Sequence, residues 1–269
     1  MTALAPAVRS GADSRPSSAH RLTFAHLLRS ETIKITTLRS TWWSLGITAL
    51  LSIGISMMIA SASAEFGGDY PAVSAILSPT QFTMLVAGIL GAIVITGEYS
   101  TGMIRSTLTA EPRRGAIVVA KAVVVGALIA LTTVLIYAVA IAATAPLLAE
   151  GVDWSDPQQS LVPLSLGVAS MVVFTLIGLG FGFILRNGAG AIAVTVGVLF
   201  VLPIVFSLFG MFGDGWRWVS DLAQYLPMNA AAEATSPGAE ELGGPVLTLA
   251  AWAIVPLLGG WAVLRGRDA

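Results

Sequence analysis

One polar interruption decides how this chain is interpreted: the stretch GEYSTGMIRSTLTAEPRR, at positions 97–114, lies between two long apolar runs. It combines hydroxyl side chains with three arginines. Because Pro112 disfavours helical backbone at the residue before it, we expect a short helix that ends near Glu111. The flanking runs are too apolar for the surface of a soluble protein, so this segment should face water beside a membrane.

The charged residues of the chain are few and clustered. They make up 11% of the sequence, against about 25% in soluble globular proteins. Six stretches without charge separate the clusters, each longer than the roughly 20 residues that cross a bilayer core. The pattern predicts an all-α, polytopic membrane protein with six transmembrane helices, at about 42–62, 80–97, 116–145, 161–185, 189–209 and 245–264. Six buried helices of a soluble protein would need amphipathic partners, which this sequence almost lacks.

The distribution of charge predicts the orientation in the membrane. With both termini in the cytoplasm, every Lys and Arg except Arg217 falls on the cytoplasmic side or at its boundary, and most Asp and Glu residues fall outside. This is the positive-inside pattern. We therefore expect a multi-pass protein of the cytoplasmic (inner or plasma) membrane of a bacterium, with cytoplasmic N- and C-termini.

Two segments are expected before the first span. Residues 1–21 are rich in Ala, Ser, Pro and Arg and lack the apolar core of a signal peptide, so they are predicted to be a disordered cytoplasmic tail. Residues 22–41 carry apolar side chains at helical spacing with basic residues among them. This pattern is typical of an amphipathic helix in the inner headgroup layer. An ordinary polar lead-in is the alternative interpretation.

Three further features are expected within the six-span domain, residues 42–269. Pro203 should kink the fifth helix. The small-residue pair Gly178 and Gly182 should let helices approach closely within one subunit, with a dimerisation face as the alternative. Lys121 is close enough to the inner boundary for its amine to snorkel to the interface.

The loops of this domain differ between the two sides. The segment 98–115 is polar and basic, and we interpret it as a cytoplasmic coupling segment. Residues 210–244 form the longest outer segment, which is too polar to span a membrane and too aromatic for a free linker. One or two short helices in the outer interface satisfy both properties.

The chain lacks the residues that several classes of function require. The chain has no cysteine, which excludes thiol chemistry and disulfides. Its histidines, His20 and His26, precede the first span, so an intramembrane metalloprotease or Ser-His hydrolase has none to use. No Walker loop occurs, and no ionisable side chain lies deep in a span, which argues against proton coupling. We expect no enzyme activity, metal site or cofactor on this chain.

Together these features resemble a known family. The amphipathic lead-in, the six spans, EYSTGMIR at 98–105, PRRG at 112–115 and Lys121 look like the membrane subunit of ATP-binding-cassette (ABC) type-2 exporters. They are most similar to the short permeases of bacterial multidrug and antibiotic export. The stretch LPMNA at 226–230 also resembles an outer loop of that family. The similarity extends over nearly the whole chain from about residue 22.

The resemblance implies an exporter of hydrophobic or amphiphilic compounds that is driven from outside this chain. Two membrane subunits, expected to be a homodimer, would pair above two ATPase subunits that bind ATP and Mg. ATP binding would push on the lead-in helix and on the coupling helix at 98–111. No nucleic acid is expected as a partner.

The resemblance also assigns candidate residues. Contacts with the ATPase are expected at Glu98, Tyr99, Thr101, Gly102, Arg105, Arg113 and Arg114. The charged members could form charge-assisted hydrogen bonds with a cytoplasmic partner. The second and fifth spans would line the pathway, with Gln81, Phe82, Met84, Phe200, Phe206 and Phe209 in their outer halves. Such an apolar surface suits amphiphilic substrates.

Two alternatives differ in kind from an exporter. The first is a membrane sensor or scaffold that binds a cytoplasmic partner and moves nothing. Arg105→Glu should uncouple transport in an exporter and matter little in such a scaffold. The second is an intramembrane enzyme, which would have only hydroxyl groups for its chemistry.

Overall fold

The computed structural model describes residues 23–66, 70–212 and 214–266. Within these residues the chain is helical, without strands, and six helical segments are long and apolar enough to cross a membrane. The prediction of an all-α polytopic membrane protein is therefore confirmed. The predicted tail at 1–21 lies outside the described residues.

The helices follow the chain in a simple order. A short helix, α1, precedes the first span, and a second short helix, α5, lies between the second and third spans. The main helices are α1 (Phe24–Thr37), α2 (Arg39–Phe66), α3 (Ala72–Leu77), α4 (Thr80–Ser100), α5 (Met103–Ala110), α6 (Arg114–Thr144) and α7 (Leu161–Leu185). They continue as α8 (Gly188–Val196), α9 (Leu202–Phe209), α10 (Arg217–Leu222), α11 (Pro227–Ala234) and α12 (Gly243–Gly266).

Spans two and five are each built from more than one helix. The second candidate span, Ala72–Ser100, contains α3 and α4, and the fifth, Gly188–Phe212, contains α8 and α9. The other four spans are the single helices α2, α6, α7 and α12.

The centre of the bundle is the contact between α4 and α7, where glycines bring the two backbones together. A Cβ atom on Gly91 would lie 2.0 Å from the Thr175 carbonyl oxygen, and one on Gly178 would lie 1.9 Å from that of Gly88. No side chain fits at either position. A Cβ on Gly182 would likewise meet Ile95 of α4 at 2.4 Å. The Gly178–Gly182 pair thus packs within one chain, as the sequence analysis favoured.

The irregularity of the fifth span lies just before Pro203 and is not a simple proline kink. Residues Gly197–Val201 form a π-helical turn in which the Gly197 carbonyl accepts from the Leu202 N–H. Proline cannot donate a backbone hydrogen bond, and its ring clashes with the carbonyl four residues earlier. The wider turn shifts the hydrogen-bond pattern before the proline, which then lies in the first turn of α9.

The segment between the fifth and sixth spans contains α10 and α11 with short 3₁₀ turns around them. Ala230, Ala231 and Ala234 bury one face of α11. The Trp252 indole N–H of α12 donates to the Tyr225 carbonyl at 2.8 Å, and the Asn229 amide donates to the Ala223 carbonyl at 2.8 Å. The Trp252 bond holds the segment against the bundle, and the Asn229 bond lies within the segment.

Candidate functional site

Four charged side chains meet at the end of the bundle that carries α1 and α5, which we call the basic end. They are Glu31 and Lys34 of α1, Glu98 of α4 and Lys121 of α6, and they form the charge cluster. The Lys34 ammonium lies 2.6 Å from Glu31 and 3.0 Å from Glu98. The Lys121 ammonium lies 2.9 Å from Glu98 and also contacts Glu31. Lys34 donates to the Thr107 hydroxyl of α5 as well, at 3.3 Å, so the cluster joins four helices.

The charge cluster is electrically balanced, and three of its four members are buried. Lys121 is 1% exposed, and Glu31 and Glu98 are also buried. Burial by itself raises the pKa of Glu31, but the Lys121 ammonium and the lysine hydrogen bonds outweigh it, so this pKa is lowered. Burial lowers the pKa of Lys34, yet hydrogen bonding to Glu31 and the charge of Glu98 raise it overall. Glu31 and Lys34 are therefore both charged near neutral pH.

Separating these groups would leave buried charges without partners. Removing one partner of a buried ion pair typically costs about 3–5 kcal/mol. At the basic end, α1, α4 and α6 should therefore move as one unit when a force acts on any of them.

The expectation that Lys121 snorkels to the interface is wrong. Its ammonium points into the charge cluster, about two helical turns inside α6. The sequence did carry a signal for this arrangement. Leu27, Glu31 and Ile35 share one face of α1 at a spacing of four residues, and all three are buried. An acid on the apolar face of a helix requires a buried cation as its partner.

Glu98, which was predicted to face a partner protein, lies inside the bundle. Its carboxylate accepts from Lys34 and Lys121 inside the bundle. The two lysines hold Glu98 in a buried position, and its contact with a cytoplasmic protein stays a prediction.

Helix α5 leaves α4 at a sharp glycine joint. Gly102 has a φ of 73°, in the left-handed region that side chains disfavour. Just before it, Thr101 donates its hydroxyl to the Gly97 carbonyl at 2.8 Å. Ile104 buries the inner face of α5 against α6 and α7, while Arg105 lies on the exposed face. The joint therefore lays α5 across the basic end with its cation outward.

The link from α5 to α6 is fixed by a local ion pair. Arg113 donates to the Glu111 carboxylate from two guanidinium nitrogens, at 2.9 and 2.8 Å, and from its backbone N–H at 3.0 Å. These hydrogen bonds lower the pKa of Glu111 to about 2. The Arg113 side chain is still 62% exposed, so it can contact a partner while it holds the link.

Two other arginines bind the end of α12 within the chain. Arg114 donates to the Leu264 carbonyl and, at 3.2 Å, to the Arg265 carbonyl. Arg186 donates to the Val263 carbonyl at 3.1 Å, and its guanidinium lies 5.4 Å from the centre of the Tyr99 ring. Both place positive charge at a helix C-terminus, where it is favourable. Arg114 and Tyr99 thus have structural contacts besides their predicted role.

The exposed part of the predicted coupling set therefore lies on and beside α5. It consists of Thr101, Gly102, Arg105 and Arg113, with Met103, Ser106 and Thr109 between them, and we call it the α5 surface. A cavity of about 260 Å³ separates it from α1, and His26, Ser30, Met103 and Ser106 are among its lining residues.

The structure brings together only some of the candidate pathway residues within a single chain. Gln81 and Met84 line a cavity of about 170 Å³ toward the opposite end of the bundle, together with Phe174 and Met228. Phe82 is half exposed. Phe200 packs against the core cluster that contains Met84, and Phe206 is partly exposed on α9. Phe209 packs on Phe212 and Trp216, with ring centres 6.0 and 5.1 Å apart.

Comparison with known proteins gives one finding. The family described as ABC-2 family transporter protein matches residues 46–268. No curated protein matches the chain. The match begins inside α2, so it contains Glu98 and Lys121 but not α1 with Glu31 and Lys34.

Proposed function

The chain belongs to the ABC-2 transporter family, and from that premise we propose that it exports hydrophobic or amphiphilic compounds with energy from a separate ATPase. Membership makes the protein a membrane permease subunit of an ABC transporter and implies association with an ABC ATPase. The direction, the substrate class (drug, antibiotic or lipid-like) and the manner of coupling belong to the proposal.

The observation that carries the coupling proposal is the charge cluster beneath the α5 surface. Arg105 and Arg113 face outward from the basic end, and a contact between Lys34 and Thr107 joins α5 to the cluster behind it. A force on α5 or α1 would reach α4 and α6 through buried ion pairs. From α4 it would pass to α7, because the backbones of these helices touch at Gly88 and Gly178.

We infer the orientation of the protein in the membrane from the residues at the basic end. The basic end carries the α5 surface, the arginines that bind α12 and the lysines of the charge cluster, and such residues favour the cytoplasmic side. We place this end in the cytoplasm of a bacterial cell, with ATP and Mg on the partner ATPase. Release would then take place at the opposite end, near the cavity lined by Gln81 and Met84.

A second membrane subunit completes the proposed transporter. In the spans Gly188–Phe212 and Gly243–Gly266, only 17% of the most apolar window is buried within one chain, against 56% for Leu161–Leu185. Such faces must contact lipid or protein. We assign the face of α8 and α9 to a second copy, so that the pathway residues of spans two and five from both subunits come together.

Charge reversal on the α5 surface tests the coupling. The tagged protein is purified with its co-purifying ATPase from native membranes, and the stoichiometry and substrate efflux are measured. Arg105→Glu should lose the ATPase and the efflux, because it places an acid in a basic docking surface. Arg217→Glu, the matched reversal on α10, should keep both.

Two outcomes would contradict the proposal. If the wild-type protein brings down no ATPase under gentle detergent and crosslinking, the sensor or scaffold interpretation replaces it. If Arg105→Glu and Arg217→Glu export equally well, the α5 surface does not couple the ATPase to transport.

A further inference from the structure

A long apolar groove lies between α6 and α12, away from the charge cluster. Its volume is about 590 Å³, and its lining is almost entirely apolar. Val119 and Val123 line it from α6, and Ile254 and Leu258 line it from α12, each about half exposed. The nine residues from Gly115 to Val123 rise about 12 Å along a helix. The groove therefore runs from the basic end through most of one leaflet.

The mouth of the groove at the basic end carries hydrogen-bond donors. Trp261 lines the groove, and its indole nitrogen would lie 3.2 Å from a Cβ atom on Gly115. Among the residues that the structure describes, no acceptor receives the Trp261 indole N–H. Arg265 stacks over the same indole ring at 5.5 Å, and its guanidinium makes no ion pair within the described part of the chain. Arg114 binds the end of α12 beside them.

We propose that this groove binds one anionic phospholipid of the leaflet at the basic end. An acyl chain would occupy the apolar channel between α6 and α12. The phosphate would accept hydrogen bonds from the Trp261 indole N–H and the Arg265 guanidinium. The lipid thereby fills the gap between the third and sixth spans at their inner ends.

The hydrogen-bond donors at the mouth of the groove favour an anionic phospholipid. An exposed guanidinium and an indole N–H offer donors and positive charge but no acceptor, so they match a phosphate better than a cationic head. The α6 and α12 residues of the channel contribute no charge to repel an anion. A net negative headgroup gains attraction at Arg265, whereas a zwitterionic head brings a cation to the same place.

The position of the site agrees with an interfacial lipid. Indole rings concentrate at the headgroup level of membranes. Val119 and Val123 of α6 and Ile254 and Leu258 of α12 are about half exposed in the chain, so a lipid chain has lateral access to the groove. A second copy of this protein is the other possible occupant, and the experiment distinguishes the two.

Native mass spectrometry of the purified protein measures the binding. The protein is equilibrated with phosphatidylglycerol or with phosphatidylcholine of the same acyl chains, and the retained lipid is counted. The wild-type protein should retain phosphatidylglycerol preferentially. Arg265→Gln should lower this preference about fivefold, the effect typical of one basic side chain near an anionic leaflet. Arg29→Gln, which removes the same charge from an exposed position on α1, should leave it unchanged.

A steric variant makes the test independent of surface charge. Ala122→Phe fills the groove from α6 and should abolish retention of phosphatidylglycerol, whereas Ala127→Phe, at an exposed position on the same helix outside the groove, should not.

Equal losses in Arg265→Gln and Arg29→Gln would overturn the proposal, because general surface attraction would then explain the binding. So would full retention in Ala122→Phe. If Ala122→Phe instead separates dimers into single chains, a second copy occupies the groove and the lipid site is wrong.

Discussion

The Lys121 ammonium lies between the carboxylates of Glu31 and Glu98, and 1% of the residue is exposed. At this position a cation is stable only because two acids compensate its charge, while Lys34 keeps the cluster neutral. A lysine in the membrane helix α6, at the basic end, thus joins α1 and α4 through buried ion pairs. The residue that fixes α1 on the bundle belongs to α6.

Lys121→Met should destabilise the protein by roughly 3–5 kcal/mol, because Glu31 and Glu98 would then share the single partner Lys34. The free energy of unfolding in mixed micelles measures the effect. Adding Glu98→Gln to Lys121→Met should recover part of the loss, since the cluster becomes neutral again. Arg29→Met removes an exposed cation and serves as the control. A Lys121→Met protein as stable as the wild type would show that the charge cluster does not hold the helices together.

At the scale of single residues, the sequence predicts where a charged side chain lies better than it predicts which residues that side chain contacts. Arg105 and Arg113 are exposed beside α5, as a polar interruption between apolar runs suggests. Glu98 was assigned to the same surface and lies inside. Its partner Lys121 is 23 residues away along the chain, and Lys34 is 64 residues away. Local patterns do not specify pairs at such separations, which depend on how the helices pack.

The packing of α4 on α7 depends on positions without side chains. Gly88 and Gly91 of α4 face Thr175 and Gly178 of α7, and the backbones approach so closely that no Cβ atom fits. Helices in a membrane gain no hydrophobic energy from association, so close van der Waals packing must hold them. These two helices are the most buried of the six spans.

Gly178→Ala should therefore destabilise the bundle strongly, by about 3 kcal/mol, because its Cβ would lie 1.9 Å from the Gly88 carbonyl oxygen. Gly97→Ala is the matched change, since a Cβ on Gly97 of α4 meets nothing within 4 Å. That variant should gain up to about 1 kcal/mol from helix propensity. Thermal unfolding in detergent, followed by tryptophan fluorescence, compares the two. Equal melting temperatures would mean that α4 and α7 are not in backbone contact.

Among the elements, the six spans followed directly from hydropathy, because a bilayer requires long apolar helices. The short helix α5 followed from Pro112, and it ends at Ala110. The π-helical turn at Gly197–Val201 did not, because Pro203 alone does not specify how the backbone before it adapts. A proline predicts an irregularity, but the neighbouring helices determine its form.

At the scale of the whole molecule, burial is unequal among the spans. The central helices α4 and α7 are covered on most sides, whereas the fifth and sixth spans leave wide apolar faces. Within the described residues, the core of a single chain therefore lies around α4 and α7. In the transporter proposed above, a second subunit would cover the face of α8 and α9 and bring the pathway residues of the two chains together.

The chain contains no cysteine, which allows the proposed pairing to be tested with one thiol at a time. Ile204 of α9 is 44% exposed in the single chain, and Val134 of α6 is 50% exposed. A disulfide forms only where two Cβ atoms approach to about 3.5–4.5 Å. Ile204→Cys, or its neighbours Val205→Cys and Leu208→Cys, should therefore give a linked dimer when native membranes are oxidised, as seen on non-reducing gels. Val134→Cys should stay monomeric, and the opposite result would place the subunit contact on the third span.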